Sequence, residues 1–352
     1  MNGYQAKLLA GISVLGFAAA QPGAATAADL GRPQAMISSA PAPAGSDAWK
    51  FWLEGGPAAL EGDPGVAGMN NPPFDVDPDH WGWEAAAGGD YQFAGNPWIW
   101  SWQFRYGRNG RNSESNSPVG LFLGTGGQVS VVGSNFAGRN EHHWLADFMV
   151  GRDLGLGMGV GDQVGKFGVR VAEIRGRTKG TAEWYNVPVF PTIDCSTAPS
   201  YCGSEIRDYT QENKFVGVGP RVELDGNIPL GGHWSIEYMG GAAALYGRRK
   251  ANQNVTLSNP TVSTFTGPAS LLAGGPIDAS SSGNDWVFNL DAMAGLTYAF
   301  NPTARMIFSY RFDGYWDALR GYNSDGEPAD LDRFYHGPMV RFVLTNGVEP
   351  SP

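Results

Sequence analysis

Between residues 285 and 344 the chain alternates with a period of two. Every second residue from Trp286 onward (Trp286, Phe288, Leu290, Ala292, Ala294, Leu296, Tyr298, Phe300) is apolar or aromatic, and those between are mostly polar or small. Only an extended strand places alternate residues on one face. Asn301 and Pro302 interrupt the run. It resumes with Ala304, Met306, Phe308, Tyr310 and Phe312 on one face and Arg305, Ile307, Ser309, Arg311 and Asp313 on the other. A third run sets Phe334, Val340, Phe342 and Leu344 against Arg333, Gly337 and Arg341. Soluble strands typically run about 3–10 residues; the first two runs are longer and carry aromatic residues near their ends. A bilayer-crossing strand needs about 9–11 residues, apolar outward and polar inward, with an aromatic girdle at each interface. The pattern predicts the walls of a transmembrane β-barrel.

The same alternation appears over 49–54, 81–93, 98–106, 143–153, 166–178, 214–225 and 233–246. With the three runs above this makes ten strands, within a range of eight to twelve, in an all-β, antiparallel up-and-down barrel. Connections alternate long and short. Short ones fall near Asn96, Gly159, Asn227 and Asn301, and long ones near Asp75, Ser115, Cys195, Ser263 and Asp325. Outer-membrane barrels have short periplasmic turns and long external loops, so the polar stretches 55–79, 107–140, 180–209 and 248–283 are expected outside. Two features disturb the pattern. Glu173 falls on the lipid side of the fifth strand, which a bulge near Ala172 would repair. Pro220 and Pro338 cannot donate to a ladder, so a bulge or local unpairing is expected at each.

The N-terminus reads as a secretory signal over residues 1–27. Lys7 supplies the positive charge, residues 8–20 are apolar, and Ala25-Thr26-Ala27 offers a cleavage site. Residues 28–48 are a Pro/Ala-rich periplasmic linker, 49–346 the barrel and 347–352 a polar tail. A net charge of −10 argues against a nucleic-acid partner, because phosphate binding needs a basic footprint.

Three stretches resemble the Legionella-type pore-forming outer-membrane protein family, which is major outer membrane protein-like. They are FVGVGPRVELDGNIPLGGHWSIEYMGGAAALYGRR from Phe215, LDAMAGLTYAFNPTARMIFSYRFDGYWDAL from Leu290 and DRFYHGPMVRF from Asp332; VRVAEIRG at Val169 is a weaker fourth. The resemblance implies an outer-membrane barrel assigned to pore formation. Such barrels usually end on an aromatic residue read by the assembly machinery. Here the last strand ends near Leu344, so either Phe342 serves or the signal is internal. Expected partners are outer-membrane lipid and lipopolysaccharide, small hydrophilic solutes and the barrel-assembly machinery. The oligomeric state is not legible.

Alternation turns thirteen charged residues inward as pore-lining candidates: Glu54, Glu84, Asp90, Arg105, Asp147, Arg170, Arg221, Glu223, Glu237, Asp291, Arg305, Arg311 and Arg341. Both signs on one interior admit two readings, a charge network that packs a narrow lumen or rings that set the selectivity of a narrow pore. If the lumen conducts, acidic outer residues such as Glu61, Asp63 and Asp330 favour cations. Arginine at inward positions such as Asn289 or Asp291 is expected to be far milder than at lipid-facing ones. Cys195 and Cys202 share one external loop. A disulfide is expected in an oxidising compartment, with two free thiols as the alternative. Asp75, Asp77 and Asp79 open like a calcium loop, but His80 replaces the required Gly and Ala86 the bidentate Glu, so an EF-hand is rejected. No metal site, cofactor site or catalytic constellation is expected; neither G-x-S-x-G nor H-E-x-x-H occurs.

Overall fold

A computed structural model describes residues 47–63, 65–67, 74–76, 80–116, 119–124, 127–154, 163–188, 202–261, 277–322 and 328–346. The expected signal peptide, most of the linker, the polar tail and Cys195 lie outside these residues, and the Cys202 side chain is likewise not described.

The strands are β1 (Ala48–Gly62), β2 (Gly65–Ala67), β3 (Phe74–Val76), β4 (His80–Gln92), β5 (Ile99–Asn116), β6 (Val119–Gly124), β7 (Gly127–Asp153), β8 (Gln163–Pro188), β9 (Cys202–Gly231), β10 (Trp234–Thr261), β11 (Ile277–Asn301), β12 (Ala304–Tyr322) and β13 (Pro328–Thr345). β1, β4, β5 and β7 to β13 form one closed antiparallel barrel of ten strands. β13 pairs with β1, β1 with β4, and the β5–β7 pairing completes the ring. β6 adds to the outer part of β7, and β2 and β3 make a separate hairpin. A bilayer offers no water to backbone N–H and C=O groups, so only helices and closed barrels cross it.

Burial follows the alternation. Trp100, Phe148, Val169, Val222 and Phe308 are exposed on the outer face, while Arg105, Asp147, Arg170 and Asp291 are buried on the inner one. Outward aromatics meet in two belts. Trp98 packs on Phe167 and Trp234 on Tyr298 near the short turns; Trp83 packs on Tyr106, Phe104 on Trp144 and Tyr246 on Trp286 at the far side. These are the girdles.

The strands run well past the outer girdle, which corrects the loop expectation. β9 has 30 residues and β10 has 28, against about 9–11 needed to cross. Much of 107–140, 180–209 and 248–283 is paired strand. Gly55 to Gly62, assigned to a loop by sequence, continues β1. Beyond the girdle the outer face leaves lipid and the inner face buries polar side chains such as Thr178, Gln211 and Gln253, so the apolar alternation disappears while the backbone ladder continues.

Glu173 needs no bulge. β8 keeps its register with β7 and β9 through Ala172, so Glu173 does stand on the outer face. There Lys214 Nζ lies 3.0 Å from its carboxylate and Trp144 Nε1 donates to it at 3.3 Å. The prolines unpair rather than bulge. Between Gly55↔Val340 and Ala59↔His336 the β1–β13 pairing lapses without a register change, opposite Pro57 and Pro338. Pairing between β9 and β10 lapses in the same way beside Pro220. At the first gap the backbones close in: a Cβ on Gly56 would stand 2.2 Å from the Pro338 carbonyl oxygen, and one on Gly337 2.2 Å from that of Pro57.

At the periplasmic rim the two ends of the barrel are clasped. The Tyr91 hydroxyl and the Ala94 amide donate to the Asp47 carboxylate; Asn346 Nδ2 donates to the Asp47 carbonyl at 2.8 Å. The β9–β10 turn is made by Gly231 and Gly232 at φ +110° and +60°, where a side chain would be strained.

Arginine at Val222, Leu290 or Phe308 is expected to cost about 2–4 kcal/mol, as found for lipid-facing positions near the bilayer midplane. Arginine at Ser282, outward but beyond the girdle, is expected to cost under about 1 kcal/mol. Urea unfolding in lipid vesicles, followed by tryptophan fluorescence, measures both; equal costs would show the register to be misassigned.

Candidate functional site: the barrel interior

All thirteen residues assigned inward by alternation face the interior. Ten are buried, and Glu237, Arg305 and Arg341 are half-buried toward the periplasmic opening. The structure brings them together as ion pairs. At mid-barrel, Arg170 makes a two-pronged contact with Asp147 (Nε at 2.7 Å, Nη2 at 2.6 Å) and reaches Asp291 at 3.2 Å. Arg221 bonds Asp291 through both terminal nitrogens, one at 2.8 Å, lies 3.2 Å from Asp147 and also donates to Glu223. Two arginines and two aspartates therefore close a square with essentially no solvent access. Planar guanidinium suits such sharing, since its five donors form a rigid fork.

Around the square, Arg105 bridges Glu84 (2.8 Å) and Asp313. Toward the periplasm, Glu54 is held by Arg311 at 3.3 Å and Arg341 at 2.8 Å, and the Arg341 guanidinium sits 4.2 Å over the Trp52 ring. Arg305 pairs with Glu237 at 3.2 Å. Lys166 lies among Asp90 (3.5 Å), Glu223 (3.4 Å) and Asp225.

Immediately outside this network lies an apolar layer. Two residues beyond Asp147 on β7 is Leu145; Ile174 on β8, Leu245 on β10, Val287 on β11 and Phe215 on β9 join it, each essentially without solvent access. Tyr315 and Tyr335 complete it, and Tyr335 donates to Glu141 at 2.7 Å. Arg333 reaches the same carboxylate at 3.1 Å. Nearer the external opening, Arg249 pairs with Asp285 and Asp330 (2.7 Å). There β12 bulges between Tyr315 and Leu319, and Asp317, at φ +55°, donates its amide to Asp332 at 2.9 Å.

Several members were missed. Alternation does turn some of them inward: Asp313 shares the parity of Arg311, Lys166 that of Arg170, and Lys50, which pairs with Asp90, that of Glu54. Glu141 and Arg249 lie in stretches without apolar alternation, and nothing local marks them. The expectation that arginine is mild at Asn289 or Asp291 is corrected. Asn289 accepts from Arg170 and donates to the Gly314 carbonyl at 2.9 Å, and Asp291 holds two guanidinium groups. A third guanidinium there would be buried among like charges.

The interior thus carries buried paired charge and then hydrocarbon, yet it is not fully satisfied. Arg105 Nη2, Arg311 Nη1, Ser309 Oγ and Thr297 Oγ1 are buried without a hydrogen-bond partner among the described residues. Such groups require enclosed water or movement.

Asp291→Ala leaves Arg170 and Arg221 short of an anion and is expected to destabilise the barrel by about 3–5 kcal/mol, as for one partner of a buried pair. Arg177→Ala, which removes an exposed partner of Glu212, is expected to cost under about 1 kcal/mol. Unfolding midpoints of the two variants in one detergent decide it.

Solved barrels are similar to this chain at low identity. The outer membrane protease OmpT from Escherichia coli is 10% identical with a TM-score of 0.37, covering 88% of this chain and 100% of its own. Neisserial surface protein A is 8% identical with a TM-score of 0.25, covering 83% and 95%. The Ralstonia pickettii toluene transporter TbuX is 12% identical with a TM-score of 0.21, covering 85% and 89%. No curated protein matches the chain significantly. Residues 57–342, from the proline at the β1–β13 seam to Phe342 in the last strand, match the family described as the Legionella pneumophila major outer membrane protein precursor, and the chain belongs to that family of bacterial outer-membrane β-barrels.

Proposed function

We propose that the protein is a gated pore for small hydrophilic solutes or ions, its lumen shut in the conformation described. Shared carboxylates carry this reading. Asp147 and Asp291 each lie between Arg170 and Arg221, and Glu54 lies between Arg311 and Arg341. A bridge can pass from one partner to the other without leaving a buried charge alone, the state that costs several kcal/mol. A lumen built only to be filled has a simpler solution, because well-packed apolar side chains of similar volume often match or exceed a buried ion pair in stability. With both signs balanced inside, the net charge of −10 favours cations at the mouth, an effect that fades as salt shortens the screening length.

One observation favours a second reading. Leu145, Ile174, Phe215, Leu245 and Val287 form one buried apolar cluster inside the barrel. If it never opens, the barrel acts through its outer surface, as an adhesin or surface structural protein.

Planar-bilayer recording separates the two. The wild type is expected to show brief, low-conductance openings with modest cation preference at low ionic strength. Leu245→Ser, which wets the apolar layer, is expected to lengthen them, and Glu54→Gln, which frees Arg311 and Arg341, to shift the reversal potential toward anions. Silence from the wild type and from Leu245→Ser alike would sink the pore and leave the surface role.

A further inference from the structure

The outer wall carries a row of basic side chains that neither reading uses. Cross-strand pairing sets Arg108 on β5 opposite His142 on β7, His142 opposite Arg175 on β8, Arg175 opposite Lys214 on β9, and Lys214 opposite Lys250 on β10. These five positions form one unbroken ladder row, and all point outward; Arg175 and Lys214 are 46% and 42% exposed. Like charges directly opposite each other in a sheet repel. The row occurs in a chain whose net charge is −10, so composition does not explain it.

Nearby acids neutralise only part of it. Glu173 pairs with Lys214, and Glu212 lies 3.1 Å from Arg177 and 4.0 Å from Arg175. Arg108 and Lys250 make no ion pair among the described residues. Burial, then the Arg175 guanidinium, hold His142 below the ordinary imidazole range, consistent with an excess of positive charge there.

The height of the row selects the partner. Two residues inward along each strand stand Tyr106 on β5 and Trp144 on β7, and Tyr246 lies four residues inward of Lys250, so the row sits just beyond the outer aromatic girdle. Lipid headgroups lie at that level. Beside Arg108 the wall is hollowed by Gly82, Trp83, Gly110 and Asn140, which gives an aromatic side to one end of the row. We infer that this row, from Arg108 to Lys250, is a binding site for a phosphorylated, acylated lipid of the outer leaflet, with phosphate over Arg175, Lys214 and Lys250 and acyl chains running down the girdle. The inference is independent of whether the lumen conducts.

The test uses the full chain folded in detergent micelles, with a bis-phosphorylated acylated glucosamine disaccharide as probe and native mass spectrometry as readout. The wild type is expected to retain the lipid. The triple variant Arg175→Gln, Lys214→Gln, Lys250→Gln is expected to lose affinity on the order of a hundredfold, given the usual contribution of each basic side chain near an anionic lipid. Arg152→Gln, at the opposite rim, is expected to change nothing, and an unaltered heat-modifiable gel shift establishes that the triple variant is folded. Equal retention by the folded triple variant overturns the site. So does equal binding of the same lipid stripped of its phosphates. Inorganic polyphosphate competing as well as the lipid would mean a soluble polyanion site, and would overturn the lipid assignment too.

Discussion

Every feature of this barrel depends on the closure of its backbone hydrogen-bond ladder. In hydrocarbon no strand edge can be left open, so the β5–β7 pairing that completes the ring is a requirement, not an ornament. Closure fixes parity. Once each strand is locked to two neighbours, a slip of one residue would send every inward arginine into lipid, and the register becomes strongly specified. Closure at ten strands also fixes width. Arg105 meets Asp313 across 208 positions of sequence because the lumen is narrow enough for side chains from distant strands to touch.

Narrowness turns the interior charge from a lining into a network. A wide lumen would hydrate each guanidinium separately. Here Arg170 and Arg221 are removed from solvent, and the carboxylates of Asp147 and Asp291, with Glu223 and Asn289 beside them, make that tolerable. The neighbouring hydrocarbon layer sharpens the effect, since a lower local dielectric strengthens satisfied pairs and penalises unsatisfied ones alike. The outer wall shows the same rule at lower stakes. Glu173 faces the interface, where Lys214 and Trp144 are enough to hold it.

The membrane-crossing parts were legible because lipid on one side and the lumen on the other write a period of two into the sequence. Trp81 to Phe93 could be read strand-first for that reason, and so could the inward assignment of Asp147 or Arg221. Past the girdle that contrast vanishes, so Gly107 to Asn140 looked like loop although most of its backbone is paired. Alternation also says which way a charge points but not whom it meets. The partners of Arg105 and Arg341 depend on stagger around the ring, which no single strand encodes. Leu145, Leu245 and Val287 break the polar-inward rule, and only their shared height reveals them as one layer.

The clasp at the periplasmic rim has a consequence for how the barrel comes to exist. Asp47 and Asn346, which it joins, are 299 positions apart, while the other neighbouring wall strands follow one another closely in sequence. Local hairpins cost little loop entropy, whereas the β1–β13 seam carries the closure entropy of almost the whole barrel before it can form. Until it does, two strand edges stand exposed in a bilayer, templates for pairing with another copy. Pro57 lies on one of those edges and Pro338 on the other, each withholding a donor from any strand that arrives there. The gap they leave in the finished ladder falls where glycines let the two backbones close together without it.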